Sequence, residues 1–572
     1  MTNSRLISEL RSFMKEESLD IFVVNATDEY LNEYIELQQN PRYLLIGFSG
    51  STGDALVTND QVFLFVDGRY HLQADQEVDK DIVTVVKVGL NESPRTALIN
   101  KIAECSPSGS VVGLVSTKIS YFSYRIYVEN LSEKNLVFRE FNFDPVLNLA
   151  KVEETTSKEP LRYVNIEISG LTPVEKLNNV LEKLKVLNID VLLITKLEEI
   201  AYLSNLRGND IPFSSSFKAK AIIKTGRCLI FTDLSKISDY FKDKYEGKFE
   251  FLDINLFEKE FENLNDEVIG FTPGSMNLYN YRLTEKNKSV EIDMSPITSM
   301  KAIKNKAELA HMKESFRKSD IAINRAISWL NQGLEKGVKL TEKDFADRVK
   351  VMFFQEGAHG LSFEVLAASG KNSAIIHYTN PDPDRIIQKG ELVLLDCGAY
   401  FEGGYATDTT RTFLAKDKNT KANSEQKKIY TEVLKAFLRG LNYPLAEGIS
   451  GYDIDKEVRE VLKDVDESFS FPHGTGHGVG ISVHESPPRL SPADEAKKPL
   501  EPGMCFSIEP GLYKNDWGGI RLENTVTLEK ENDKLVISCL TRSKFDKNLV
   551  DYDLLNDQEK VWLENYQNIS IG

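Results

Sequence analysis

The stretch His473-Gly-Thr-Gly-His477-Gly-Val-Gly-Ile-Ser-Val-His484 holds three of the seven histidines of the chain within twelve residues. Glycines separate these histidines, and glycine disfavours a helix while allowing the backbone to approach a ligand closely. We therefore expect His473 and His477 to share one face of an extended segment, where side chains repeat every second residue. Such a cluster, followed at once by Glu485, indicates a chemical site rather than a packed core strand.

Two aspartates lie upstream of this cluster in strand-like surroundings. Asp396 ends the apolar run Leu-Val-Leu-Leu-Asp, where a carboxylate is costly to bury unless it is paired or bound to a metal. Asp408 lies among threonines, which favour strands. A hairpin turning near residues 402–404 would bring the two aspartates roughly opposite each other. Facing carboxylates repel strongly without a cation, so this arrangement predicts a metal site.

Two glutamates extend the set downstream of the histidines. Glu509 ends the strand-like segment Met-Cys-Phe-Ser-Ile-Glu, and Glu523 lies in the predicted strand 520–528. Four carboxylates and at least one imidazole exceed the needs of a single small cation, but they suit two ions about 3.5 to 4 Å apart. Oxygen-rich ligands with one nitrogen favour manganese, with zinc, cobalt and iron as alternatives. The sequence therefore predicts a dinuclear hydrolase.

Composition excludes several other classes of protein. The formal charge of −17, from 70 basic and 87 acidic residues, disfavours binding to nucleic-acid phosphate. Five scattered cysteines without a C-x-x-C spacing indicate neither a disulfide framework nor a thiolate zinc site. No segment reaches the roughly 18 apolar residues of a membrane span. We therefore expect a cytoplasmic protein that binds neither membrane nor nucleic acid.

The order of predicted elements indicates an α/β fold. Leu19-Asp-Ile-Phe-Val-Val is echoed by Ile189-Asp-Val-Leu-Leu-Ile, which predicts two related domains at residues 1–155 and 156–298 and a third domain at 299–572. Thr341 and Asp344 are expected to cap a helix. Further predicted helices span residues 4–17, 307–329 and 424–441, and predicted strands include residues 21–24, 55–58, 62–66 and 535–540.

These motifs resemble the metal ligands of the "pita-bread" metallopeptidases, a group that includes methionine aminopeptidase and aminopeptidase P. The resemblance is closest to the large, three-domain aminopeptidase P family. It extends to Gly47-Phe-Ser-Gly-Ser-Thr-Gly, to Asp67-Gly-Arg-Tyr, and to a C-terminal extension within residues 510–572. It implies two creatinase-like N-terminal α/β domains followed by a pita-bread catalytic domain. It also implies a homodimer that cleaves peptides with proline at the second position.

The resemblance also implies roles for individual residues. Two divalent ions would be bound by Asp396, Asp408, His477, Glu509 and Glu523. Glu509 would also accept the proton of the attacking water. The substrate pocket would contain His377, His473, His484, Arg69 and Arg521. The interval between the two aspartates is one residue longer than is usual in the family, so the hairpin must absorb an additional residue as a bulge or a larger turn.

Other members of the same fold group provide alternatives. A prolidase would cut Xaa-Pro dipeptides, but it is usually built with one leading domain. Methionine aminopeptidase is disfavoured by the roughly 300 residues that precede the third domain, and creatinase by the presence of the acidic ligands. A noncatalytic binding module on the same scaffold is the alternative from another functional class, although such modules typically lose metal ligands.

Overall fold

The computed structural model describes residues 2–90, 92–153, 157–264 and 267–570, so the predicted boundary between residues 155 and 156 lies outside the described residues. The chain divides into two compact units. The first comprises Met1–Tyr163, Leu171–Pro212 and Ser216–Ile297, and the second comprises Val164–Gly170, Phe213–Ser215 and Thr298–Gly572. Two short segments of the predicted second domain therefore group with the residues that follow position 298.

Two six-stranded sheets of identical topology form the first unit. Counted along the chain within each sheet, the strands lie side by side in the order four, three, two, one, five, six. The second strand is antiparallel to the first and the third, and all other neighbours are parallel. This shared strand order confirms the prediction that the N-terminal part of the chain contains two related α/β repeats. The strands, in spatial order, are Val83–Lys87, Val62–Val66, Ala55–Thr58, Ile21–Val24, Val111–Val115 and Val137–Phe141, and then Phe249–Asp253, Arg227–Thr232, Ala219–Lys224, Val191–Ile194, Val268–Phe271 and Lys288–Glu291.

Helices cover both faces of the first sheet. Alternate residues of strand Ile21–Val24 pack in one cluster with helix Ser4–Glu16 and in another with helix Pro94–Cys105. A strand that is buried on both faces is apolar throughout, as this one is. The first unit also contains the short strand pair Arg162–Tyr163 and Leu206–Arg207. Its other helices are Pro41–Ile46, His71–Glu77, Tyr121–Asn130, Pro145–Leu149, Pro173–Leu187, Leu197–Ser204, Asp239–Lys242, Phe257–Glu262 and Leu278–Thr284, with 3-10 turns at Leu37–Gln39, Ser132–Lys134, Leu234–Lys236, Asp243–Tyr245 and Ile254–Leu256.

Two larger sheets and two short strand pairs form the second unit. The three-stranded sheet has the order Leu366–Ser369, Leu392–Cys397, Thr409–Leu414. The five-stranded sheet has the order Glu485–Leu490, Gly476–Gly478, Cys505–Ile508, Asn524–Glu531, Lys534–Cys539. The short pairs join Gly360–Leu361 to Ala399–Tyr400 and Gly511–Lys514 to Gly518–Arg521.

One helix of the second unit, Glu342–Gln355, begins at its predicted cap. Thr341 accepts a hydrogen bond from the backbone N–H of Asp344, whose side chain accepts one from Thr341 in return. Helix Ser424–Leu441 has its predicted bounds, whereas helix Lys306–Glu335 continues six residues beyond its predicted end at residue 329. The remaining helices are Ile166–Ser169, Pro296–Ala302, Gly451–Leu462 and Asp557–Gln567, with 3-10 turns at Gly370–Ala374, Asp494–Lys497, Lys547–Leu549 and Tyr552–Leu554.

The predicted single strand 520–528 is wrong, because the chain changes sheets within it. Gly518–Arg521 pairs with Gly511–Lys514, while Asn524–Glu531 joins the five-stranded sheet. Between the two strands, the backbone N–H of Glu523 donates to the carbonyl oxygen of Thr410 in the three-stranded sheet (3.1 Å). This crossing brings Glu523 to the three-stranded sheet.

Within the described ranges, no helix combines the length and the apolar character that crossing a bilayer requires.

Candidate metal centre

Strand alternation places Asp396 on the face of the three-stranded sheet that the helices leave uncovered. Val393, Leu395 and Cys397 pack in an apolar cluster with helices Lys306–Glu335 and Glu342–Gln355. Because successive side chains of a strand face opposite sides, Asp396 lies on the other face.

The five-stranded sheet follows the same rule. Phe506 and Ile508 pack against helix Ser424–Leu441 in a second apolar cluster. Ser507 and Glu509 therefore lie on the opposite face, and the hydroxyl of Ser507 donates to Oε1 of Glu509 (3.2 Å).

Three predicted ligands converge closely on one point. Asp408, His477 and Glu523 each offer a ligand atom, and these atoms lie within 4.8 Å of one another. Nε2 of His477 lies 3.5 Å from Oδ2 of Asp408 and 3.5 Å from Oε1 of Glu509. Four predicted ligands thus surround one small volume.

The hairpin between the two aspartates turns at two glycines. Gly403 and Gly404 both have positive φ, 85° and 67°, which glycine adopts without strain. The pairing then resumes with Asp396 opposite Thr410, so Asp396 and Asp408 are offset by two residues rather than directly opposite. The two aspartates thus lie roughly opposite each other across the hairpin, as expected, and the offset of two residues keeps both carboxylates on the same face.

When no cation is bound, burial and repulsion between neighbouring carboxylates raise the pKa of three acidic side chains, Asp408, Glu523 and Glu509. Burial, followed by repulsion from Glu523 and Asp396, raises the pKa of Asp408 well above its usual range. Burial, followed by repulsion from Glu509 and Asp396, does the same to the pKa of Glu523. Burial also raises the pKa of Glu509 to about 7, against the opposing attraction of Arg521.

The donor set fits divalent cations. Oδ1 of Asp396 and Oε1 of Glu523 are buried and have no hydrogen-bond partner within the part of the chain that the structure describes. A buried carboxylate oxygen without a donor is costly, and a cation removes this cost. Together with the imidazole nitrogen of His477, these oxygens form the mixed oxygen and nitrogen environment that first-row divalent metals accept.

The glycines around His477 hold its ring in place. Nδ1 contacts the carbonyl oxygen of Gly478 (3.0 Å), which leaves Nε2 facing the carboxylates. A Cβ atom at Gly476 would lie 1.9 Å from the carbonyl oxygen of Ser507, so only glycine allows this close approach of the two strands. The glycine pattern noted in the sequence therefore has a steric cause.

The three other predicted histidines occupy different positions. The ring of His484 packs edge-on against His477, with ring centroids 4.5 Å apart. His473 contacts the carbonyl oxygen of Gly474 through Nδ1 (2.8 Å) and the hydroxyl of Tyr513 through Nε2 (2.9 Å). His377 follows Ile376 in a loop and is partly exposed.

The two predicted arginines lie in different units. Arg521 is buried and donates to Oδ2 of Asp396 (2.6 Å). Burial lowers the pKa of Arg521, but the nearby Tyr513 and Asp396 outweigh this effect, so the pKa is raised. Arg69 lies in the first unit, where it pairs with Asp67 (2.8 Å). A role of both arginines in the substrate pocket remains a prediction.

Sequence reasoning missed three side chains that support the ligands. Thr410 donates to Oε2 of Glu523 (2.8 Å), Ser507 donates to Glu509, and Tyr513 accepts from Arg521 (2.8 Å). Thr410 follows Asp408 by two residues and Ser507 precedes Glu509 by two residues. Their position on the same strand face was a usable signal.

Glu485, which the sequence groups with the histidines, has a different set of partners. Its carboxylate oxygens lie 2.8 Å from Nζ of Lys301 and 3.2 Å from Nζ of Lys304, and all three side chains are buried. It also accepts from the backbone N–H of Ile481 (2.8 Å). Glu485 therefore fixes the loop that carries His484.

Arg411 contacts the backbone of one predicted ligand, Glu523, rather than its carboxylate. Its guanidinium is buried and donates to the carbonyl oxygens of Glu523 and Ser543 and to the hydroxyl of Tyr566 (2.9 Å). Tyr566 lies in the helix Asp557–Gln567, and its hydroxyl also donates to the carbonyl oxygen of Ser543 (2.8 Å). The C-terminal helix is thus hydrogen-bonded to the backbone of a predicted ligand through one arginine.

Comparison with known families agrees with this architecture. Residues 310–530 match metallopeptidase family M24, and residues 7–139 and 153–308 each match a creatinase/prolidase N-terminal domain. The fold and the acidic centre therefore define a metallopeptidase with creatinase-like N-terminal domains. The α/β fold class predicted from the sequence is confirmed.

Individual relatives narrow the class. A probable Xaa-Pro aminopeptidase P from Laccaria bicolor is 31% identical over 591 residues, which covers 99% of this chain and 89% of that protein. The chain belongs to the aminopeptidase P family of the M24 metallopeptidases, as the sequence motifs suggested.

Solved structures show the same relationship. An X-prolyl aminopeptidase from Caenorhabditis elegans, described as a cytosolic enzyme with a di-nuclear active site, superposes with a TM-score of 0.91 at 26% identity and covers 99% of this chain and 95% of that one. A prolidase from Pyrococcus horikoshii OT3 has a TM-score of 0.53 at 25% identity and covers 66% of this chain and 100% of that one.

Proposed function

We propose that the protein is a dinuclear metal-dependent aminopeptidase that hydrolyses the bond between the first residue of a peptide and a proline at the second position. The observation that carries this proposal is the convergence of Asp408, His477 and Glu523 in a chain that aligns with Xaa-Pro aminopeptidase P relatives over 99% of its length.

The ions would be held by Asp396, Asp408, His477, Glu509 and Glu523. Bound there, they would supply Lewis acidity toward the peptide carbonyl group and make water a stronger acid. Manganese is our first choice because the set is rich in oxygen, with zinc, cobalt and iron as substitutes.

Glu509 would carry the proton in the reaction. Oε1 of Glu509 lies 3.5 Å from Nε2 of His477, within the proposed ligand set, where a carboxylate can act as a general base toward water. Oε1 of Glu509 accepts a hydrogen bond from Ser507, which fixes the carboxylate. The carboxylate would take a proton from the attacking water and deliver it to the leaving proline nitrogen.

Histidine and arginine side chains would bind the substrate. His377, His473 and His484 would stabilise charge on the carbonyl oxygen during the reaction. Arg521 would orient Asp396 through its short contact, and Arg69 would contact the peptide.

Several wider features also remain proposals. The two N-terminal repeats would be separate domains at 1–155 and 156–298, with the catalytic domain at 299–572. A homodimer in the cytoplasm would fit the family, and the C. elegans relative is described as a cytosolic enzyme.

The experiment is a substrate panel after manganese addition and after chelation. We expect release of arginine from Arg-Pro-Pro, with little release from Arg-Ala-Ala or Met-Ala-Ser. Faster cleavage of the dipeptide Arg-Pro than of Arg-Pro-Pro would favour the prolidase alternative. Inactivity on every peptide in the presence of manganese would favour the noncatalytic binding module.

A further inference from the structure

Glu342 is a fully buried carboxylate in the second unit that the proposed mechanism does not use. Its side chain has no exposed surface, and the contacts described for its two oxygens are hydrogen bonds from uncharged hydroxyl, amide and backbone N–H groups. A buried carboxylate without a cation is costly unless hydrogen bonds satisfy it. Its surroundings therefore show what it stabilises.

Both oxygens of Glu342 are saturated with donors from one loop. Oε1 accepts from the backbone N–H of Ser369 (2.6 Å) and from its hydroxyl (2.9 Å), and from the amide of Asn372 (3.3 Å). Oε2 accepts from the hydroxyl of Tyr378 (2.7 Å), the amide of Asn372 (3.1 Å) and the backbone N–H of Asp382 (3.3 Å).

This loop, residues 369–382, is the one that carries His377. Tyr378 is the next residue, and its hydroxyl also accepts from Asn372 (3.0 Å) and from the backbone N–H of Asp382 (3.1 Å). Burial, together with its bond to Glu342, raises the pKa of Tyr378, so the phenol keeps the proton that it donates.

The residue on the other side of His377 is fixed as well. The carbonyl oxygen of Ile376 accepts from Arg521 (3.4 Å), the same guanidinium that contacts Asp396. His377 thus lies between one neighbour held by the metal centre and one neighbour held by Glu342.

We propose that Glu342, through Tyr378, is a positioning residue that holds His377 in its working orientation. The inference rests on the proposed function, because it takes from there that His377 contacts the substrate. Small displacements of such a group reduce rates strongly, by up to about a hundredfold. The pair Glu342 and Tyr378 therefore acts on catalysis without touching substrate or metal.

The test is a double-mutant cycle between positions 377 and 378. Tyr378→Phe removes a single hydroxyl, and we expect kcat/KM for Arg-Pro-Pro to fall about tenfold with unchanged metal content. In a His377→Ala background, the same substitution should have almost no further effect, because its effect runs through the imidazole. The control is Tyr430→Phe, which removes another buried hydroxyl, one that accepts from the backbone N–H of Asp546 (3.1 Å). It should leave kcat/KM unchanged.

A second measurement does not depend on activity. In an NMR spectrum of protein labelled with ¹³C at one ring carbon of histidine, the seven histidines give seven signals. The signal that is absent from the spectrum of the His377→Ala variant belongs to His377. We expect Tyr378→Phe and Glu342→Gln to shift or broaden that signal, and Tyr430→Phe to leave it unchanged.

The outcomes separate this inference from the proposed function. An equal loss of activity from Tyr378→Phe with and without His377, or an unchanged His377 signal, would overturn the positioning role. If the wild-type protein cleaves no Xaa-Pro peptide, the proposed function fails, and the histidine signal still decides whether Glu342 and Tyr378 hold His377.

Discussion

The buried carboxylate of Glu342 and the carboxylates of the candidate metal centre both lie in the second unit, but they differ in how many hydrogen-bond donors surround them. Both oxygens of Glu342 are saturated by donors from the loop 369–382. At the candidate metal centre, one oxygen of Asp396 and one of Glu523 have no donor in the described part of the chain. Burial alone therefore does not mark a metal ligand. At Asp396 and Glu523, the oxygens without donors are the atoms that a bound cation would satisfy.

The largest expected effect is the loss of catalysis when Glu509, at the candidate metal centre, is changed. Glu509→Gln should reduce kcat on Arg-Pro-Pro by about a thousandfold or more, because the amide cannot accept the proton. Peptide release followed by chromatography measures this change, with the exposed Glu425→Gln as the matched control. A wild-type rate in Glu509→Gln would contradict the role that we propose for this residue.

Removal of the ions should lower the stability of the folded protein, because the acidic side chains of the candidate metal centre then lack their cations. At free metal about a thousandfold above the dissociation constant, binding stabilises the folded protein by about 4 kcal/mol, so chelation should lower the melting temperature accordingly. Calorimetry with and without chelator measures the difference. Equal melting temperatures would show that the centre needs no cation.

Matched substitutions at Glu342 and in the candidate metal centre compare them directly. Glu523→Gln should weaken metal binding by more than about a hundredfold, because it removes the charge of a ligand, and the loss of a residue that only supports a ligand already costs about tenfold to a hundredfold. Glu342→Gln should keep the wild-type metal content, since its carboxylate is fully used by protein donors. Elemental analysis of both purified variants decides the comparison, and metal loss from Glu342→Gln would remove the distinction.

The stability of the metal-free protein should fall as the pH rises. In the metal-free protein, burial raises the pKa of Glu509 to about 7, whereas in the unfolded chain the carboxyl group has its ordinary pKa of 4.5. The folded state therefore binds more protons, and the free energy of unfolding falls as the pH rises from about 4.5 to 7. Urea unfolding in chelator between pH 5 and 8 measures this slope. A rising stability in that window would contradict the proton assignment.

The smallest expected effect is at a neighbour of the centre that is not a ligand. Cys397 is fully buried, and burial, followed by repulsion from Asp396 and Asp408, raises its pKa well above the ordinary thiol value. Cys397→Ser should keep near-wild-type kcat/KM and cost about 1 kcal/mol of stability from burying a hydroxyl. Activity and urea unfolding check both parts, and a large loss of activity would indicate thiol chemistry.

Local patterns predicted the elements that local rules control. The helix cap at Thr341, the bounds of helix Ser424–Leu441 and the duplicated order of strands follow from capping, periodicity and repeated motifs within one segment. The candidate ligands were predictable because their motifs combine chemistry with strand parity.

Features that depend on contacts between distant segments were not predictable. The strand expected at residues 520–528 breaks at Glu523 because Thr410, more than a hundred residues earlier, offers the backbone acceptor. The offset of Asp396 from Asp408 likewise depends on how two glycines turn the hairpin, which the composition of the turn does not specify. The partners of Glu342 come from a loop whose position only the folded sheet determines.

The hydrogen bond between Arg411 and the hydroxyl of Tyr566 has a practical consequence for protein engineering. A deletion that begins at Asp557 removes Tyr566, and with it one acceptor of a buried guanidinium that also holds the backbone of Glu523. A shortened protein that lacks the last helix should therefore bind cations more weakly, because Arg411 would hold the backbone of Glu523 less firmly. Expression variants should retain this helix.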